Sequence, residues 1–121
     1  MHTLVGIIRT QDELERALDE LGRLRERAAQ TGVPGDRTYN PGWHLALDLR
    51  CMLTVSEAIT RSALERKESR GGHTREDYPK SDPQFGKVNV VQRLESAGLR
   101  LRREALPEMP AELKALCQER A

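Results

Sequence analysis

Aromatic residues are scarce in this 121-residue chain, since one Trp, one Phe and two Tyr make up only 3% of it. A chain of this length buries roughly two-thirds of the surface of its unfolded form, and few large side chains are available to fill that interior. We therefore expect one thin domain that has no deep ligand cavity and that completes its burial against a neighbour.

Neither sign of charge predominates, because 20 basic residues stand against 19 acidic ones and the net charge is +1. A nucleic-acid-binding domain usually has a clear basic excess, so we predict no nucleic-acid partner. No apolar run approaches the ~20 residues that cross a bilayer. We therefore predict no direct membrane insertion.

Cysteine is also rare, and Cys51 and Cys117 lie far apart in the sequence. No Cys-x-x-Cys pair and no Cys/His cluster has the spacing of a zinc site, so we predict no metal site. The first residues lack the basic and apolar regions of a secretory leader, which favours reduced, cytosolic thiols. Cys51 falls in an apolar stripe and is predicted to be buried.

Two catalytic or cofactor motifs are missing. The chain contains no Gly-x-Gly-x-x-Gly fingerprint for a dinucleotide and no Gly-x-Ser-x-Gly elbow of a hydrolase. We therefore predict no catalytic residue and no cofactor-binding residue within this chain.

Residues 10–31 have the pattern of an amphipathic helix. Thr10 and Glu13 have the spacing of a capping box at its start, and Gly32 ends it. Its apolar face repeats every three or four residues and consists of Leu14, Ala17, Leu18, Leu21, Leu24 and Ala28.

A second, longer helix begins after Asn40 and continues to about Lys67. Asn is a favoured N-cap, and Pro41 occupies the first helical position, where its missing N–H is not needed. A helix of this length in a small domain is typical of a bundle spine. Residues 3–9 are predicted to be the last turns of an earlier helix. The apolar stripe of the long helix consists of Leu45, Leu49, Met52, Leu53, Ile59 and Ala63.

The last third of the chain has a different pattern. Segments 88–94 and 99–104 are β-branched or alternating and flank the turn residues 95–98, which predicts a β-hairpin. The alternation places Leu99 and Leu101 on one side, opposite Arg100 and Arg102. A short helix is predicted from Pro110 to about Glu119.

A highly charged loop follows the long helix. Residues 64–79 contain three Arg, four acidic residues, one His and a Gly pair. Guanidinium groups offer paired donors to carboxylates and carbonyls. Three interpretations stay open from the residues alone: a loop pinned by internal ion pairs that locks a domain interface, direct contact of Arg70, His73 and Arg75 with an anionic cofactor or substrate, or solvated charge.

The sequence Glu-Ser-Arg-Gly-Gly-His-Thr-Arg-Glu-Asp-Tyr at 68–78 resembles the signature loop in the C-terminal domain of succinate dehydrogenase and fumarate reductase flavoprotein subunits. The long helix before it and the hairpin after it resemble the same family, so the resemblance covers nearly the whole chain. L-aspartate oxidase shares the core of the motif, but the charges at 74–77 favour the succinate/fumarate branch. We expect an interface or orienting role for the motif residues Arg66, Glu68, Ser69, Arg70, Gly71, His73, Arg75, Asp77 and Tyr78.

The resemblance implies a mainly α fold, a spectrin-repeat-like three-helix bundle with an appended β-hairpin and a short C-terminal helix. Residues 1–121 would form a single domain of a larger flavoprotein. Within it we expect a helical bundle at 1–67, the signature loop at 68–87, and the hairpin and tail at 88–121.

The resemblance also implies that the whole subunit is an oxidoreductase of electron transport and the tricarboxylic acid cycle that interconverts succinate and fumarate. FAD would be held by the flavin domain of the same subunit, and an iron–sulfur subunit would accept or supply electrons. The complex would be cytoplasmic and peripheral to the inner membrane through partner subunits. This chain alone would be inactive and would self-associate weakly through an apolar face that its neighbour normally covers.

Two alternatives stay open. The chain is a free-standing helical interaction module, or it is the C-terminal domain of an L-aspartate oxidase. The residues fix neither the direction of catalysis nor the quinone.

Overall fold

The computed structural model describes residues 1–96 and 98–118. The described part is mainly helical, with three helices and an antiparallel hairpin, which confirms the predicted fold class. The elements in chain order are β1 (Ile8–Arg9), α1 (Gln11–Ala29), α2 (Pro41–Glu65), β2 (Thr74–Arg75), a short 3-10 helix (Phe85–Lys87), β3 (Val88–Glu95), β4 (Gly98–Ala105) and α3 (Ala111–Gln118).

Both long helices begin as the sequence predicts. The backbone N–H of Thr10 donates to Glu13 Oε2 at 2.9 Å, and Thr10 Oγ1 accepts from the Glu13 N–H at 3.4 Å, which completes the capping box of α1. At the start of α2, Asn40 Oδ1 accepts from the Gly42 N–H at 3.1 Å, and Pro41 is the first helical residue. These caps satisfy N–H groups that have no partner inside the helix.

The core lies between α1 and α2, which pack against each other, and one edge of α2 also contacts β3 and β4. Burial here is limited to a short length of each helix, in keeping with the scarcity of large side chains. The buried apolar residues of the described part are Leu14, Ala17, Leu21, Leu53, Ala63 and Phe85.

Much of the predicted α2 stripe is not buried. Leu45, Met52, Val55 and Ile59 share one side of the helix and are between 47% and 67% exposed; we call them the open face of α2. The prediction that Cys51 is buried is also wrong, because its side chain is exposed. The physical reason is that the elements packed on α2 cover only part of its circumference, and periodicity does not reveal which part.

Residues 3–9 do not form the end of a helix, contrary to the prediction. Ile8–Arg9 is a short strand that pairs in parallel with Thr74–Arg75. The Thr74 N–H donates to the Ile7 carbonyl at 3.0 Å and the Glu76 N–H donates to the Arg9 carbonyl at 3.1 Å. β-Branched residues next to a glycine favour extended backbone, and the distant segment supplies the hydrogen bonds.

The hairpin is confirmed, with β3 and β4 paired from Val88↔Ala105 to Glu95↔Gly98. Leu99 and Leu101 are partly buried, whereas the arginines that alternate with them are exposed, as predicted. Gln92 anchors the hairpin on α2, since its Nε2 donates to the Ala58 carbonyl at 2.5 Å and to Ser62 Oγ at 2.6 Å.

The short C-terminal helix is also present, as α3, within one residue of its predicted start. The predicted end at Glu119 and the side chain of Cys117 lie outside the described residues. Among the helices described, none combines the length and the hydropathy needed to cross a membrane.

Candidate functional site

A tight turn at Gly71–Gly72 returns the signature loop toward β1. Arg70 and His73 exchange backbone hydrogen bonds across it, at 2.8 and 3.0 Å. Gly71 has φ +58°, the left-handed conformation that a two-residue hairpin turn requires at its first central position. A Cβ at Gly71 would meet no atom within 4 Å, so the backbone angle alone favours glycine here. The turn places β2 alongside β1.

In one half of the loop, several hydrogen bonds converge on the carboxylate of Glu68. Its side chain is completely buried and accepts from Arg66 Nη1 at 2.5 Å, from Arg70 Nε at 3.1 Å and from the Asp82 N–H at 2.7 Å. Burial by itself raises the pKa of Glu68, but the bonds from Arg70, the Asp82 N–H and Arg66 outweigh it and lower that pKa to about 2. Glu68 is therefore ionised near neutral pH.

Arg75 is the centre of the other half and is also completely buried. Its Nε and Nη2 donate to the two carboxylate oxygens of Asp77 at 2.7 and 2.6 Å. Its Nη1 donates to the carbonyls of Ala63 at 2.9 Å and Leu64 at 3.3 Å, in the last turn of α2. Asp77 Oδ2 in turn accepts from the Gln11 N–H at 3.1 Å, in the first turn of α1.

This ion pair joins the end of one helix to the start of another. The positive guanidinium meets the carbonyl end of α2 and the negative carboxylate meets the N–H end of α1, so both charges complement a helix dipole. The hydrogen bond from Arg75 lowers the pKa of Asp77 despite partial burial. We call Arg75, Asp77 and the two helix ends that they contact the helix-end clamp.

Ser69 and Tyr78, which lie in the signature loop, contact Arg75 of the helix-end clamp. Ser69 Oγ accepts from the Arg75 N–H at 2.9 Å and lies 2.9 Å from the Tyr78 carbonyl, to which it donates. The Arg75 guanidinium lies over the Tyr78 ring at 4.9 Å, a cation–π geometry. The backbone and the side chain of Arg75 are thus both fixed.

His73 contributes a neutral, oriented ring. Burial lowers the pKa of His73, as do the charges of Arg9, Arg75 and Arg66, and these effects outweigh its bond to the Arg66 carbonyl. Its Nε2 lies 2.9 Å from that carbonyl, so the neutral ring carries its proton on Nε2 and leaves Nδ1 as an acceptor.

All nine predicted motif residues therefore lie in one network, and the buried ion pairs match the interpretation of an internally pinned loop. The arrangement holds charged side chains in fixed positions. Within the residues that the structure describes, no group of three His, Cys, Asp or Glu side chains has the arrangement of a metal site. The interface and orienting roles of the nine residues stay predictions.

Arg9 is a residue of the site that sequence reasoning missed. It pairs with Arg75 across β1 and β2, it is only 9% exposed, and its Nη2 donates to the Gly72 carbonyl at 3.4 Å. Burial and the charge of Arg75 lower its pKa. The signal that was available is an arginine directly after the apolar run at residues 4–8.

A family model described as fumarate reductase flavoprotein C-term matches residues 1–117. The chain belongs to this family. The predicted assignment to the succinate dehydrogenase and fumarate reductase flavoproteins, which are oxidoreductases, is thereby confirmed.

Individual relatives agree with the family. A fumarate reductase flavoprotein subunit of Mycobacterium tuberculosis is 36% identical over 99 residues, which is 81% of this chain and 17% of the relative. Among solved structures, Mycobacterium smegmatis Sdh1 in complex with UQ1 is 43% identical with a TM-score of 0.86, over 96% of this chain and 20% of that one. An L-aspartate oxidase of Acinetobacter baylyi is 38% identical over 88 residues, 73% of this chain and 15% of the relative. The chain thus spans a fifth or less of the length of these relatives.

Proposed function

We propose that this chain is the C-terminal helical domain of a succinate dehydrogenase or fumarate reductase flavoprotein subunit, and that it docks on and supports the FAD-binding domain that interconverts succinate and fumarate. The observation that carries this proposal is the open face of α2, where four large apolar side chains are exposed along one side of the helix. A contiguous apolar surface on a small domain is typical of an interface.

The signature loop supports a structural role in that interface. Glu68 and Arg75 are buried, ionised and fully engaged within the loop, so they fix its shape before any partner arrives. A preformed surface binds with little loss of conformational entropy. We propose that Arg66, Ser69, Gly71, His73, Asp77 and Tyr78 orient this surface and that Arg70, whose side chain is 46% exposed, lies nearest the neighbouring domain.

The start of α1, which the signature loop contacts through Asp77, does not fit the pyrophosphate of FAD. A dinucleotide site places pyrophosphate at a helix N-terminus that follows a glycine-rich turn. Here the start of α1 is occupied by the carboxylates of Glu13 and Asp77, which would repel a phosphate. We therefore propose that FAD is held by the part of the subunit outside this chain, and that this chain alone oxidises nothing.

The iron–sulfur subunit of the complex would contact the whole flavoprotein subunit, and the assembly would be cytoplasmic and peripheral to the inner membrane. The domain boundaries at 1–67, 68–87 and 88–121 belong to the same proposal. When the chain is isolated, the open face of α2 is expected to mediate weak self-association.

L-aspartate oxidase is the second candidate, because the Acinetobacter baylyi enzyme is 38% identical, close to the identity of the fumarate reductase subunit. The Glu68 half of the network uses the motif core that both branches share, whereas the helix-end clamp uses Arg75 and Asp77, among the charges that favour the succinate/fumarate branch. Gene neighbours that encode an iron–sulfur subunit and a membrane anchor would favour the first candidate. Their absence, together with aspartate-dependent rather than succinate-dependent dye reduction by the full reading frame, would favour the second.

The decisive experiment is to sequence the genomic region upstream of Met1. An in-frame segment that encodes a glycine-rich FAD-binding fold supports the proposal, and the full reading frame is then expected to reduce a dye with succinate or to reoxidise a reduced dye with fumarate. A start codon at Met1 with its own ribosome-binding site would support a free-standing interaction module instead.

A second test addresses the open face of α2. Sedimentation velocity of the 121-residue chain should show concentration-dependent self-association that Ile59→Ser weakens. Leu94→Ser on the hairpin is the matched control, because Leu94 is 69% exposed but lies outside that face. A strictly monomeric profile over a hundredfold dilution would contradict a lost docking surface.

A further inference from the structure

An open cleft of about 420 Å³ is lined by residues of α2 and β3, by Arg9 of β1 and by His73, which follows the Gly71–Gly72 turn. Its polar lining includes Arg9, Arg66, His73 and Gln92, and its apolar lining includes Ile59 and Val90. The lining contains two arginines and no acidic residue. Arg66 is already paired with Glu68, which lies outside the lining, so Arg9 is the lining arginine without an acidic partner among the described residues.

Arg9 is the group whose bonding is incomplete. Its Nε is buried and has no hydrogen-bond partner among residues 1–96 and 98–118, and its one hydrogen bond, to the Gly72 carbonyl, is long at 3.4 Å. No described acidic side chain lies within 4.0 Å of it. An arginine that is nine-tenths buried is almost always paired with an anion. Arg9 has no such anion among the described residues.

The side-chain oxygen of Gln92 lacks a hydrogen-bond donor among the described residues. Its Nε2 donates twice to α2, but its buried Oε1 accepts from no group in the described part of the chain. Buried amide oxygens are normally satisfied. The cleft thus needs an acceptor with negative charge at Arg9 and a donor at Gln92.

We propose that this cleft receives an acidic side chain from the part of the flavoprotein subunit outside this chain, with its carboxylate on Arg9 Nε and an N–H of the same peptide segment on Gln92 Oε1. A free dicarboxylate supplies the first group but not the second, whereas a peptide segment supplies both. The inference rests on the proposed function and specifies which contact makes the docking specific.

Two further features favour a protein segment as the occupant. Ile59 lies at the rim of the cleft and belongs to the open face of α2, so the cleft continues into an exposed apolar surface along the same helix. The matched Mycobacterium smegmatis chain has about four-fifths of its length outside the region that this chain covers. A neighbouring domain that covers both features buries apolar area and neutralises one charge in a single interface.

The first test is a structure of a full-length chimera. The 121-residue chain replaces the matched segment of the Mycobacterium smegmatis Sdh1 chain, which is 43% identical. We expect a carboxylate oxygen from outside the inserted chain within hydrogen-bond distance, about 3.2 Å, of Arg9 Nε. Solvent, a small ion or a carboxylate of the inserted chain itself at that position would overturn the proposal.

The second test measures docking by hydrogen exchange in the same chimera. Relative to the 121-residue chain alone, the amides of 58–63 are expected to gain protection, and Arg9→Gln is expected to reduce that gain at least tenfold. Arg100→Gln is the matched control, because Arg100 is an exposed arginine on the outer face of the hairpin and should leave the gain unchanged. Exchange of Leu14 and Leu53 amides reports whether either variant still folds.

The outcomes separate the two proposals. If the unmodified chimera shows no protection of α2, the proposed docking fails. If protection is equal in the unmodified and Arg9→Gln chimeras, docking stands and the assignment of the cleft fails.

A third measurement addresses a free ion as the occupant. Acetate and succinate are titrated separately into the 121-residue chain, and the nitrogen resonances of His73 and Arg9 are followed. We expect no saturable shift at millimolar concentrations. Saturable binding of either anion would overturn the assignment of the cleft to a peptide segment.

Discussion

Arg9 and Arg75 are paired across the two short strands, and both side chains are buried. They differ in the hydrogen bonds and ion pairs that their guanidinium groups make. Arg75 is fully buried and its guanidinium donates to a carboxylate and to two helix carbonyls. Arg9 is 9% exposed, and its guanidinium makes one long hydrogen bond to the described residues. The guanidinium of one arginine thus finds its hydrogen-bond partners within the described residues, whereas the guanidinium of its cross-strand partner does not.

This difference distinguishes a side chain that stabilises the isolated fold from a side chain whose partner we place outside this chain. Removing one partner from a complete buried ion pair strands the other charge and is strongly destabilising. Removing a buried charge that has no partner relieves the chain of an unfavourable desolvation. The same substitution at the two positions should therefore have different effects in the isolated chain.

The largest effect is expected for Arg75→Gln. It leaves Asp77 and the last carbonyls of α2 without their donor, so the free energy of unfolding should fall by about 3–5 kcal/mol. Urea denaturation of the 121-residue chain measures this change. The control is Arg100→Gln, which should stay within about 0.5 kcal/mol of the parent chain. Equal losses in the two variants would mean that the helix-end clamp does not stabilise the fold.

A smaller and pH-dependent effect is expected for Glu68→Gln, which should cost about 2 kcal/mol near neutral pH. The folded-state pKa of Glu68, about 2, lies below its usual 4.5. The stabilisation from this carboxylate is therefore present above pH 4.5 and is lost as the pH falls toward 2. Denaturation midpoints at several pH values should show the parent and variant chains converging in that window. A constant difference would contradict the low pKa.

A third variant, Gly71→Ala, tests the turn whose Gly72 carbonyl accepts from Arg9. The left-handed angle at Gly71 disfavours a Cβ, so the loss should be about 1 kcal/mol. Gly72→Ala is the matched control, because Gly72 lacks a left-handed φ and has free space for a Cβ, and there a small gain is expected. Thermal unfolding monitored by circular dichroism distinguishes the two signs.

The smallest effect is expected for Arg9→Gln in the isolated chain. Because no described acid depends on Arg9, the free energy of unfolding should change by less than about 1 kcal/mol, in either direction. The measurement is the same urea denaturation used for Arg75→Gln. A loss of unfolding free energy as large as that of Arg75→Gln would contradict the proposed difference between the two arginines.

Local signals in the sequence were sufficient for the ends of the helices and for the hairpin. The capping box at Thr10 and the Asn-Pro start at Asn40 involve residues within three positions of each other, so their chemistry is visible in the sequence itself. The alternation around Leu99 and Leu101 likewise follows from the two-residue period of a strand.

Features that depend on distant segments were not predictable in detail. Internal ion pairs were one of the three interpretations that the charge content of the loop left open, and nothing in it identified the Ala63 carbonyl or the Gln11 N–H as partners. The strand at Ile8–Arg9 was missed because its hydrogen bonds come from residues more than sixty positions away. Cys51 was misassigned because an apolar stripe shows that a helix has a preferred side without showing how far its neighbours extend around it.

The pairing of Ile8 with Thr74 has a consequence for the order of events during folding. Both long helices depend on contacts close in sequence and can form quickly, whereas the ladder and the helix-end clamp require closure of a loop of more than sixty residues. Such long-range closure is entropically slow. We therefore expect mutations in the clamp to accelerate unfolding while leaving the refolding rate nearly unchanged, so that the clamp sets the lifetime of the native state.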